Sequence, residues 1–97
     1  MTNEQKIELY KRSWSLWGMP AQMAMLAEEC CELAKVALKY TRAVNGTTSV
    51  DLIEEIADVE IMIDQIKHCV GIQQKYIDAE KERKLIRLSR ILEEYPC

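Results

Sequence analysis

The chain has 97 residues, 48% hydrophobic and 30% charged, with a formal charge of -3. That length holds one domain, residues 1–97, and the composition excludes a disordered or collagen-like chain. The negative charge argues against general affinity for a nucleic-acid polymer or an anionic membrane. No apolar run reaches the roughly 18 residues of a membrane span.

Met1-Thr2-Asn3-Glu4 lacks the basic and apolar regions of a signal peptide. Thr2 or Asn3 is placed to cap a first helix running to about Trp17, because Ile7, Tyr10, Trp14 and Trp17 recur at helical spacing. Gly18 stops that helix and Pro20 opens the next, which extends from about Met19 to Arg42. Asn45-Gly46 signals a turn, and Thr48 with Asp51 resembles a capping box for a third helix over about Val50–Cys69. Gly71 ends it, and a fourth helix occupies about Gln73–Glu94 before Pro96. No alternating apolar segment bounded by turns occurs, so the expected fold is all-α. It is a four-helix chain whose central two helices form an antiparallel hairpin.

The four cysteines include an adjacent pair, Cys30-Cys31, with Cys69 and Cys97 remote and no C-x-x-C. Their spacing supports neither a zinc site nor a disulfide framework and points to free, buried thiols in a reducing cytoplasm.

The carboxylates of the second and third helices break the usual division of faces. At about 100° per residue, Gln22, Leu26, Leu33, Val36 and Tyr40 fall within about 60° of Glu29, which therefore lies inside the apolar stripe. Glu32 lies at the stripe edge and Glu28 on its flank. On the third helix Leu52, Val59, Met62, Ile66 and Val70 surround Glu55, with Asp58 at the edge, whereas Glu60 and Asp64 point toward the polar face. Burying clustered carboxylates is costly unless their charge is compensated, and neither stripe carries Arg or Lys. A hard divalent cation, Mg²⁺ or Mn²⁺, is the natural complement to such oxygen donors. The i,i+3 spacing within each pair puts both side chains on one face. A ferritin-like di-iron site would need Glu-x-x-His on two helices, and the only histidine, His68, does not complete one. His68 reads as a helix-end residue.

Glu28-Glu29-Cys30-Cys31-Glu32 has the form E-E-x-x-E, and Glu55-Ile56-Ala57-Asp58 the form E-x-x-D. The interval of about 22 residues between them suits a helix, a turn and a helix. Together with Trp17-Gly18 through Gln22, Met25-Leu26-Ala27 and Glu54 through Val59, these motifs resemble the MazG-like all-α nucleoside triphosphate pyrophosphohydrolases, especially their compact bacterial and phage members. The likeness spans roughly Trp14 to Ile66 and weakens in the basic last helix.

The resemblance implies that Glu29, Glu32, Glu55 and Asp58 bind Mg²⁺ and that a nucleoside triphosphate is hydrolysed to the monophosphate and pyrophosphate, as nucleotide-pool house-cleaning. In such chemistry a cation neutralises the phosphate oxygens and orients a water for in-line attack. Glu28 is a candidate for supporting that water. Lys84, at helical spacing from Leu88, Ile91 and Tyr95, is the first candidate for a phosphate contact and Arg87 the second, with Lys35 and Lys39 behind them. Gln22 is placed to hydrogen-bond a base edge, with Trp17 or Trp14 stacking nearby.

The first and fourth helices also carry apolar stripes that one short chain cannot cover, which suggests a symmetric assembly. The resemblance likewise implies a homodimer or dimer of dimers built as a helical bundle. The competing expectation is a non-catalytic helical module for dimerisation or regulation, which would keep the stripes without needing the acids.

Overall fold

The computed structural model describes residues 1–42 and 46–95; Asn45 of the expected turn, Pro96 and Cys97 lie outside them. The chain forms four helices: α1 (Asn3–Trp17), α2 (Met19–Arg42), α3 (Ser49–Val70) and α4 (Gln74–Leu92). No strand occurs among the described residues.

Local chemistry accounts for the boundaries. Thr2 caps α1 through a full capping box: its hydroxyl accepts from the Gln5 amide, and the Thr2 amide donates to the Gln5 side chain at 2.7 Å. Thr48 and Asp51 repeat the device at α3, with the Thr48 amide donating to Asp51 Oδ2 at 2.7 Å. Asp therefore serves in the place usually held by Glu or Gln. Gly18 and Gly71 follow α1 and α3 with φ of 84° and 86°, a region where a Cβ would be strained. Helix α4 starts without a side-chain cap.

Helix α2 packs most extensively against α3, and α1 lies against both. Tyr10, Val59, Met62 and Ile66 form the buried apolar centre, with Leu26, Leu33, Val36 and Leu52 half-buried beside it. Two amides, Gln22 and Gln65, are buried in the same interface. The stripes expected around Glu29 and Glu55 are thus the packed faces over most of their length. Tyr40 and Val70, at the stripe ends, stay exposed.

Helix α4 behaves differently. It makes no extensive contact with the other three, and every residue in it except Ile77 is exposed. Its apolar residues Leu85, Leu88, Ile91 and Leu92 face solvent. The chain is accordingly open, with a radius of gyration of 17.0 Å against about 13 Å for a compact chain of this length. Its accessible surface is 7816 Å², whereas a compact monomer of this mass exposes about 5,700 Å². Among the described residues, no helix is long and apolar enough to cross a membrane.

The cysteines depart from expectation. Cys30 and Cys31 are free thiols but exposed, not buried. They lie about 100° and 200° around α2 from Glu29, and so turn away from α3. Cys69 is the partly buried one, its thiol 3.7 Å from the Tyr10 carbonyl.

Candidate metal centre

The packing of α2 on α3 brings Glu29 together with Glu55 and Asp58. One carboxylate oxygen from each lies within 4.8 Å of the others. Glu29 and Glu55 are half-buried, and none of the three forms an ion pair among the described residues.

The electrostatics follow from that crowding. Desolvation raises the Glu29 carboxyl above its ordinary range, and the Asp58 charge, a hydrogen bond with Asp58, and the charges of Glu55 and Glu32 push it further. Glu55 is raised too, first by desolvation and then by Asp58, Glu32, Glu54 and Asp51. Each carboxylate thus sits where other negative charge is concentrated.

Glu32 stands beside this group rather than inside it. It is exposed, and Lys35 on the next turn reaches it at 3.3 Å. Its charge still acts on both Glu29 and Glu55. Lys35 lies off the apolar stripe and reaches Glu32 from its flank. Glu28 is exposed on the flank, as its angle implies.

A recess beside the acids has a volume of 310 Å³ and is lined by Val36, Lys39, Gly46, Thr47, Asp51, Glu54 and Glu55. Its size is at the lower end of the usual range for small-molecule sites. Lys39 is the cation that lines it, although sequence position ranks Lys39 behind Lys84 and Arg87. Those two residues are exposed on α4, which makes no extensive contact with the helices carrying the acids.

Gln22 and Trp17 also sit apart from the acids. Gln22 is only 5% exposed, and its side-chain oxygen accepts a hydrogen bond from the buried Gln65 amide. Trp17 is 60% exposed at the end of α1 and lines a separate recess with Leu9, Arg12 and Leu16. Gln65 is a buried partner that the motifs do not point to. Its signal was a polar residue seven positions after Asp58, on the same face of α3.

Asp64 proves not to be a plain solvated charge. It accepts from the Tyr10 hydroxyl at 2.9 Å, with Lys67 Nζ at 3.9 Å and His68 Nε2 at 3.7 Å from its other oxygen. His68 lies in the last turn of α3, as expected, and stacks on Tyr10 with ring centroids 6.0 Å apart.

The three converging donors are all anionic oxygens, which fits a hard divalent cation and no soft metal. Comparison with known protein families, with characterised proteins and with solved structures finds no match.

Proposed function

We propose that the chain is a Mg²⁺-dependent nucleoside triphosphate pyrophosphohydrolase, with Mn²⁺ as an alternative ion, releasing a nucleoside monophosphate and pyrophosphate. The observation that carries this reading is the convergence of Glu29, Glu55 and Asp58 from two helices without a protein cation against them. The MazG-like pattern E-E-x-x-E and E-x-x-D adds the reaction to the site.

On this reading Glu29, Glu55 and Asp58 hold the cation, and Glu32 joins them by releasing Lys35, a weak and exposed tie. The cation, when bound, offsets phosphate charge and acidifies a water. Glu28 orients that water from the flank. Lys39, lining the recess beside Glu55, contacts phosphate from within the same chain. Lys84 and Arg87 serve the phosphates of a neighbouring subunit. Gln22 keeps its buried bond to Gln65 on this reading and so is not the group that reads a base edge. Trp17, exposed at the end of α1, stacks a base only where a second chain covers it.

The central helices form an antiparallel hairpin in this proposal, which the Gln22–Gln65 and Glu29–Asp58 contacts support. The assembly is a homodimer or dimer of dimers in the cytoplasm. Supporting it is the roughly 2,000 Å² of surface beyond that of a compact monomer, within the area an obligate homodimer buries. Light scattering should then give a mass of at least twice 11.3 kDa.

The same exposed apolar surface favours a second reading, a non-catalytic dimerisation or regulatory module. One experiment separates the two: incubate the protein with Mg²⁺ and a panel of canonical, deoxyuridine, deoxycytidine and oxidised triphosphates, and measure pyrophosphate. Release from one nucleotide class supports the enzyme. Folded protein that releases none from any member leaves the module.

A further inference from the structure

Two polar contacts cross the α2–α3 interface at matched intervals. Gln22 precedes Glu29 by seven residues, and Gln65 follows Asp58 by seven. Seven residues make about two helical turns, so on each helix the amide and the acid lie on one face, about 10 Å apart. Gln65 meets Gln22 at one level, and at the other a carboxylate oxygen of Glu29 lies within 4.8 Å of one from Asp58.

The residues between these levels are apolar: Leu26 on α2, Val59 and Met62 on α3. Apolar side chains pack in more than one register, because dispersion contacts are nondirectional. A buried amide pair is directional. Gln22 and Gln65 are 5% and 3% exposed, and no buried side-chain polar atom among the described residues lacks a partner. Sliding α2 past α3 by one turn would strand both amides among hydrocarbon. The acids at the other level exert the opposite influence, because three carboxylates within 4.8 Å repel one another and favour separation.

We infer that the buried Gln22–Gln65 hydrogen bond is a register lock that holds Glu29 against Glu55 and Asp58. Both glutamines are positioning residues, and neither touches the cation. The inference rests on the metal reading above and goes beyond it by naming what keeps the donor set assembled. Buried polar groups that fix register at some expense of stability are known in helical assemblies.

The test is the double variant Gln22→Met with Gln65→Met, which keeps side-chain length and removes the hydrogen bond. Mn²⁺ affinity is measured by titration calorimetry on the full chain, alongside helix content and metal-free melting temperature. The expected result is a folded protein, no less stable than wild type, whose Mn²⁺ dissociation constant rises roughly tenfold or more, as when groups supporting metal ligands are lost. A merely structural pair would move the melting temperature and leave the affinity alone. Unchanged affinity in a folded variant overturns the positioning role while the metal reading stands. Wild-type protein that takes up no Mn²⁺ overturns the metal reading and the lock with it. Gln22→Leu with Gln65→Leu repeats the test with a different shape. Failure of both double variants to fold would make the pair a condition of folding and would also overturn the lock.

Discussion

Asp58 and Asp64 lie on the same helix and share a side-chain type, yet their surroundings are opposite. Asp64 has a hydroxyl donor from α1 and two basic neighbours from its own helix, Lys67 and His68. Asp58 has two further carboxylates and no protein cation. The first acid has a hydroxyl donor and basic neighbours within the fold; the second has no such partner among the described residues. Local charge balance therefore separates these two acids where residue type alone does not, and on the proposed metal reading Asp58 is the one kept for a ligand.

The contrast can be broken most sharply at the unpaired end. Replacing Glu55 by Gln should lower pyrophosphate release by at least about 100-fold, because a cation ligand is lost. The metal-free variant should be as stable as wild type or more so. A metal-free Tm several degrees below wild type would reveal a structural partner for Glu55 and erase the distinction.

Next in size is the response to the ion itself. At a Mg²⁺ concentration about 100 times the dissociation constant, preferential binding to the folded state contributes about 2.7 kcal/mol. For a chain of this length that corresponds to a Tm rise of roughly 10 to 20 °C. A chelator should reverse it, and Glu55→Gln should not show it.

At the satisfied end the effect should be smaller and independent of metal. Tyr10→Phe removes the hydroxyl from Asp64 and should cost about 1 kcal/mol, read by denaturant unfolding. Its Mg²⁺-induced shift in Tm should match wild type. A reduced shift would mean that the two regions are coupled.

The smallest expected effect is on pH dependence. Glu29 and Glu55 are raised above their ordinary value of 4.5, so the folded chain holds protons that the unfolded chain has released. Their contribution is fully present below the ordinary carboxylate range and is lost as pH rises through the raised values. Glu80, held below its ordinary range by Arg83, acts in the opposite sense and loses its contribution as pH falls. Metal-free wild type should therefore lose more stability than Glu55→Gln between about pH 4 and pH 7. With Mg²⁺ the sign reverses, since only ionised carboxylates bind the ion.

Much of this molecule was legible because its signals are local. Thr2 with Gln5, Thr48 with Asp51, and the glycines at 18 and 71 act within a turn of the helix ends they set. The acidic centre was legible for a related reason, since a period of about 100° places Glu29 and Glu55 on packed stripes. What was missed depends on contacts distant in sequence or on flanks. Tyr10 reaches Asp64 across 54 residues, and Gln65 reaches Gln22 across 43. No periodicity within one helix reports either. Lys35 stands among the candidate phosphate contacts, but its pairing with Glu32 comes from off the stripe, where the angular pattern does not reach. The thiols of Cys30 and Cys31 were assigned by residue type, when their angles on α2 already turned them outward.

Helix α4 lacks a side-chain cap and buries almost nothing against its own chain. A helix in that position draws little support from tertiary packing and depends on weak pairs such as Glu80 with Arg83. Its amide protons should therefore exchange with solvent orders of magnitude faster than those of α3 in dilute solution. If a second chain covers α4, that exchange slows as protein is added. The order of the last quarter of the chain then becomes a function of how much protein is present.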